Sequence, residues 1–68
     1  MEEMLVGAVL KVADENKEDP VWEVVAETYS ADYVARIIGN ASSLTEALDR
    51  TYSQAEDEMN QDTWSKII

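Results

Sequence analysis

Residues 19–40 read DPVWEVVAETYSADYVARIIGN, and the fold turns on how many helices they make. Asp19 before Pro20 is a helix start. The short acidic side chain accepts a free N–H of the first turn, and Pro at the first helical position lacks only an N–H that would have no partner there. Trp22, Ala26, Tyr29, Tyr33 and Ile37 then follow at steps of four, three, four and four, the spacing of one helical face. That stripe is continuous, so a single helix over 20–38 accounts for it. Ser30, with Asp32 two residues on, reads equally well as a second cap that starts a new helix. Gly39-Asn40 ends the run in either case, because Gly adopts the left-handed conformation that closes a helix.

The flanking segments are helical in pattern too. Over residues 2–17, Met1, Met4/Leu5, Ala8/Val9 and Val12/Ala13 recur at three and four, and Val6 and Leu10 widen that face. Glu2 and Glu3 suit the positive end of the helix dipole and Lys17 the negative end. Gly7 costs about 1 kcal/mol relative to Ala unless it lets a second helix approach closely. Downstream, Ala41-Ser42-Ser43 is a turn, and Ser43-Leu44-Thr45-Glu46 matches a capping box. Leu44, Leu48, Tyr52, Ala55 and Met59 step by four, four, three and four, and Glu46 and Arg50 form an i,i+4 pair. Asn60-Gln61-Asp62 is expected to interrupt this helix, with residues 63–68 as a last turn carrying Trp64, Ile67 and Ile68. The prediction is an all-α fold over residues 1–68 as one domain. It is a small three-helix bundle with short connections, or a four-helix bundle if the second helix breaks at Ser30.

Composition narrows function more than it narrows fold. The 68 residues hold fifteen Asp or Glu, five Lys or Arg, no His and no Cys, for a net charge of −10. Without Cys or His there is no disulfide, zinc finger, thiolate nucleophile or imidazole base. Few cations argue against direct nucleic-acid binding, since phosphate contacts need them. No run approaches the roughly 20 apolar residues of a membrane span, and Glu2 and Glu3 stand where a secretory signal carries positive charge. The expectation is therefore a cytoplasmic protein with no membrane contact, no cofactor, no metal and no catalysis. Hydrophobic residues still make up 46% of the chain, so it is not an acidic disordered tail.

Asp14, Asn16 and Glu18 open like a calcium loop, but the sixth and twelfth positions are Asp19 and Val25 rather than Gly and Glu. The serines lack a base, and Ser42 and Ser43 read as caps. Residues 31–42, ADYVARIIGNAS, resemble the helix–turn part of a helix-turn-helix. The next helix carries Glu46 and Asp49 with only Arg50, where a DNA-reading helix presents basic and amide groups. That resemblance therefore implies scaffold or mimicry rather than DNA reading.

The acids themselves are the strongest functional signal. Glu46, Asp49, Glu56, Asp57, Glu58 and Asp62 fall on the last helix, densest at 56–58, with Trp64 as a candidate apolar anchor beside them. Carboxylates one helical turn apart have Cβ atoms about 5–6 Å apart, comparable with the step between phosphates on a nucleic-acid strand. Size and charge are similar to those of small acidic DNA-mimic inhibitors, many of them phage-encoded antirestriction or anti-CRISPR proteins that act in the host cytoplasm. That similarity implies a non-enzymatic inhibitor whose partner is the basic surface of a nucleic-acid-binding protein. The alternative is a helical assembly module or homodimer whose acids confer only solubility.

Overall fold

The computed structural model describes the backbone of residues 2–67 and the side chains of residues 4–61. It is all-α, with four helices: α1 (Glu2–Glu15), α2 (Pro20–Thr28), α3 (Ala31–Ile38) and α4 (Leu44–Ile67). The second predicted helix does break. Tyr29 and Ser30 are extended, and the Ser30 hydroxyl accepts from the Tyr33 N–H to start α3. Asp19 caps α2 as expected, its Oδ1 accepting from the Val21 N–H at 2.9 Å. Gly39 closes α3 at φ +50° and ψ −116°, outside the left-handed helical region expected for it and a conformation that costs an L residue about 1–3 kcal/mol.

α2 and α3 are joined through Tyr29 and Ser30. Each packs against α1 and α4, and neither packs against the other. Along α4, α2 leads from Tyr52, which reaches Asp19, to Glu58, which Tyr29 reaches, and α3 returns from Glu58, which Tyr33 reaches, to Arg50, which reaches Ile38, so the bundle is one of four helices with a turn at the break. Its core has two adjoining parts. Val6 and Val9 of α1 meet Val34 and Ile38 of α3 and Ala47 of α4, while Ala13 meets Val21 and Val25 of α2 and Ala55 of α4. Trp22 and Tyr29 pack against both parts and seal the seam between them. Each fully buried Val or Ile contributes about 1.5–3 kcal/mol by leaving water.

Several expectations need correction. The innermost residues of α2 and α3 are Val21, Val25, Val34 and Ile38 rather than the Trp22–Ile37 stripe, whose members are half-buried. The centre of so narrow a bundle has room for branched aliphatics, and the large rings cover it from the side. The same holds on α4. Ala47, Thr51 and Ala55 face inward, Leu48, Tyr52 and Met59 flank them, and Leu44 is 38% exposed. This line of small side chains lets α4 approach its neighbours closely, and the Thr51 hydroxyl is satisfied by the Ala47 carbonyl at 2.9 Å. Met4 is 78% exposed rather than in the core. Gly7 has open space around it, so it permits no close approach.

The helix ends differ in detail as well. α1 stops at Glu15, two residues early, because Asn16 donates its side-chain amide to the Val12 carbonyl at 2.7 Å. α4 runs unbroken through residues 60–62. That segment has neither Gly nor Pro, and the Gln61 amide supports the helix by donating to Asp57 one turn back at 3.1 Å. The capping box is present in altered form. Ser43 Oγ accepts from the Glu46 N–H at 3.2 Å, but the Glu46 carboxylate turns to the N–H and hydroxyl of Ser42, at 3.0 and 2.9 Å.

Candidate functional site

Where the carboxylates end up decides what the surface offers. Three of them each accept more than one hydrogen bond from the fold. Glu46 accepts from Ser42 and from Arg50, the latter at 2.8 Å, and these contacts hold its carboxyl below the usual range. Arg50 in turn donates to the Ile38 carbonyl at 2.7 Å, closing the C-terminus of α3. The basic residue of the helix that follows the helix-turn-helix-like segment therefore points back into the turn and is unavailable to read a groove. Asp19 accepts from the Tyr52 hydroxyl at 3.1 Å while it caps α2.

Glu58 is the third. Its carboxylate accepts from the Tyr29 hydroxyl on one oxygen and from the Tyr33 hydroxyl, at 2.5 Å, on the other. Gln54 adds a long bond of 3.4 Å. The Tyr29 bond, then the Tyr33 bond, depress the Glu58 pKa. Reciprocally, burial first and then Glu58 push the Tyr29 phenol up, and the Glu58 bond raises that of Tyr33. The two rings meet edge to face, 4.8 Å apart. This clamp holds the break between α2 and α3 against α4. Sequence reasoning placed Glu58 in the surface cluster and the tyrosines in the core. The available signal was a pair of Tyr four residues apart, since a half-buried phenol requires an acceptor.

Of the other acids singled out on α4, Asp49, Glu56 and Asp57 are exposed, while the side chains of Asp62 and Trp64 lie outside the described residues. A larger concentration lies elsewhere. Asp14, Glu15, Glu18, Asp19, Glu23 and Glu27 surround the α1–α2 turn with only Lys17 among them, giving a net −5 over residues 14–27, half the chain's charge. Lys17 pairs with Asp14 at 2.9 Å, and Glu27 and Glu23 lie near enough to help raise its pKa further. With Asp14 so paired and Asn16 bonded to α1, the calcium-loop-like residues serve the turn. Residues 30–53 carry a net charge of only −1. The acidic side of the molecule is thus the α1–α2 corner.

A groove of about 800 Å³ lies between α3 and α4, bordered by Tyr33, Arg36 and Ile37 on one wall and by Asp49, Arg50, Ser53, Gln54 and Asp57 on the other. No helix is long and apolar enough to cross a membrane among the described residues. The chain matches no protein-family model, no curated protein and no solved structure at a significant level.

Proposed function

We propose that this chain is a non-enzymatic acidic inhibitor that occupies the basic surface of a nucleic-acid-handling protein in place of the nucleic acid. The observation that carries this reading is the pair of surfaces just described: carboxylates left free on a fixed scaffold, with half the net charge gathered at one corner. Glu23 and Glu27 lie one turn apart on α2, about 5–6 Å between Cβ atoms, with Glu15 and Glu18 exposed beside the turn. Such an array substitutes for a run of phosphates and draws a basic partner by long-range attraction. Asp49, Glu56 and Asp57 extend the negative surface along α4.

The test is capture of the partner from a host lysate by the immobilised chain, followed by competition. Duplex DNA or RNA should displace the captured protein. Its affinity for the chain should fall steeply as salt rises, and Glu18→Lys, Glu23→Lys, Glu27→Lys together should abolish binding with the helix content unchanged. Affinity that is flat with ionic strength, or a ternary complex with nucleic acid still bound, overturns the reading. A second reading, an assembly module whose acids serve solubility, draws support from Met4, a large apolar side chain left 78% exposed.

A further inference from the structure

We infer that the α3–α4 groove is the contact face of a two-fold symmetric homodimer, with Arg36 of each protomer seated between Asp49 and Asp57 of the other. The inference does not depend on the inhibitor reading.

It starts from an unpaired cation. The described cations include Lys17, paired with Asp14, and Arg50, held by Glu46 and the Ile38 carbonyl. Arg36 is exposed at the rim of the groove and forms no ion pair or hydrogen bond among the described residues. Across the groove Asp49 is equally unpaired, and Asp57 meets only the neutral amide of Gln61. The α3 wall therefore offers a free cation, and the α4 wall offers two carboxylates on either side of Arg50, whose own charge is met by Glu46. Between them Ile37 and the ring of Tyr33 are half-buried, and they supply the apolar area that a contact face needs at its centre.

The levels of these groups match. Arg50 reaches across to Ile38, and Glu58 is reached by Tyr33. Arg36 lies between Ile38 and Tyr33, so its level on α4 falls near Ser53, midway between Asp49 and Asp57. Each Asp is then about 6 Å along the axis from that level, at 1.5 Å per residue. A two-fold axis running along the groove preserves level and exchanges walls. It sets the Arg36 wall of one copy against the Asp49–Asp57 wall of the other, and the reverse contact follows by symmetry. A volume of about 800 Å³ accommodates side chains from a second chain rather than a single ion.

Charge selects this face for self-contact. Two copies at −10 each repel over most of their surfaces, most strongly corner to corner. The groove is lined from residues 33–57, whose net charge is −2, and includes none of the α1–α2 corner acids.

Sedimentation equilibrium of the full chain, from micromolar to millimolar, tests the inference. The expected species is a dimer at twice the 7.6 kDa chain mass. Arg36→Glu should weaken self-association at least about tenfold, because each lost pair occurs twice. Asp49→Arg with Asp57→Arg should do the same. Mixed one to one, the two variants should form a heterodimer, since a groove with acids on both walls then meets one whose charged residues are all basic. Far-UV circular dichroism checks that each variant stays helical. A wild-type chain that remains at 7.6 kDa at millimolar concentration, a dimer indifferent to Arg36→Glu, or a mixture that stays monomeric overturns the assignment.

Discussion

Removing an acid from a chain at −10 should normally help it fold, because it relieves self-repulsion. Glu58 is expected to do the opposite. Its carboxylate accepts two phenolic hydrogen bonds that join the α2–α3 break to α4. Hydrogen bonds to a charged group are worth about 1.5–3 kcal/mol each when fully sheltered. This carboxylate is only half-buried and the freed phenols can hydrate, so Glu58→Ala should cost about 1–3 kcal/mol in total. For a domain of this size that lowers Tm by roughly 4–20 °C. Asp57→Ala and Glu56→Ala, one and two residues away and exposed, should stay within about 0.5 kcal/mol of wild type or gain stability.

The pH dependence follows from the same contacts. The folded Glu58 pKa lies below its unfolded value near 4.5, so its contribution is full above that value. It is lost as pH falls through the folded pKa. The gap between wild type and Glu58→Gln, measured by urea unfolding followed by circular dichroism, should therefore be constant above the unfolded value and narrow progressively as pH falls below it. Equal effects of Glu58→Ala and Asp57→Ala, or a gap that does not narrow on acidification, would refute the clamp.

Other outcomes follow from the fold. Gly39→Ala should cost about 1–3 kcal/mol by thermal unfolding, through backbone strain at φ +50° and not through a clash, since the new Cβ would lie 3.7 Å from Arg50 Nη1. Ala47→Leu places a branched side chain on the closely packed line of α4 and should cost about 1–3 kcal/mol or more, with broadened amide spectra. On the alkaline side the Tyr29, Tyr33 and Tyr52 phenols all have raised pKa values. Their contribution is full below pH 10 and is lost as pH rises through the folded values, so tyrosinate absorbance and loss of helix should rise together. Both described ion pairs are local, at i,i+3 and i,i+4, so added salt has little to break between helices. Tm should rise with salt as self-repulsion is screened, and a falling Tm would show that inter-helix ion pairs matter.

Local chemistry was the part of the fold legible in sequence. Asp19-Pro20, Ser30, Gly39 and Ser43 mark helix ends by what their own atoms can bond or tolerate, and each does so in the structure. The inward faces were read less well. Hydrophobicity ranks Trp22, Tyr52 and Met59 above Ala47 and Thr51, yet the centre of a small helical bundle selects for size, and the small residues occupy it. For the candidate site, spacing alone ranked the 56–58 cluster first. It could not separate Glu58, which the tyrosines engage, from Asp57, which faces solvent. Nor could it bring the α1–α2 turn acids together on one corner, since that depends on two helices meeting.

The clamp chemistry also bears on why the chain has so few Lys and Arg. A carboxylate held by a cation is neutralised in the far field, whereas one held by a phenol keeps its full charge. Glu58 and Asp19 are fixed by Tyr29, Tyr33 and Tyr52, so these contacts stabilise the bundle without reducing its negative potential. Between helices, carboxylates are tied in this way and not by ion pairs among the described residues. A protein that needed acids only for solubility would lose nothing by cross-linking its helices with Lys–Glu pairs. One that acts through its field loses potential with every such pair. The use of hydroxyl donors where cations would serve the fold equally well therefore favours a working role for the charge.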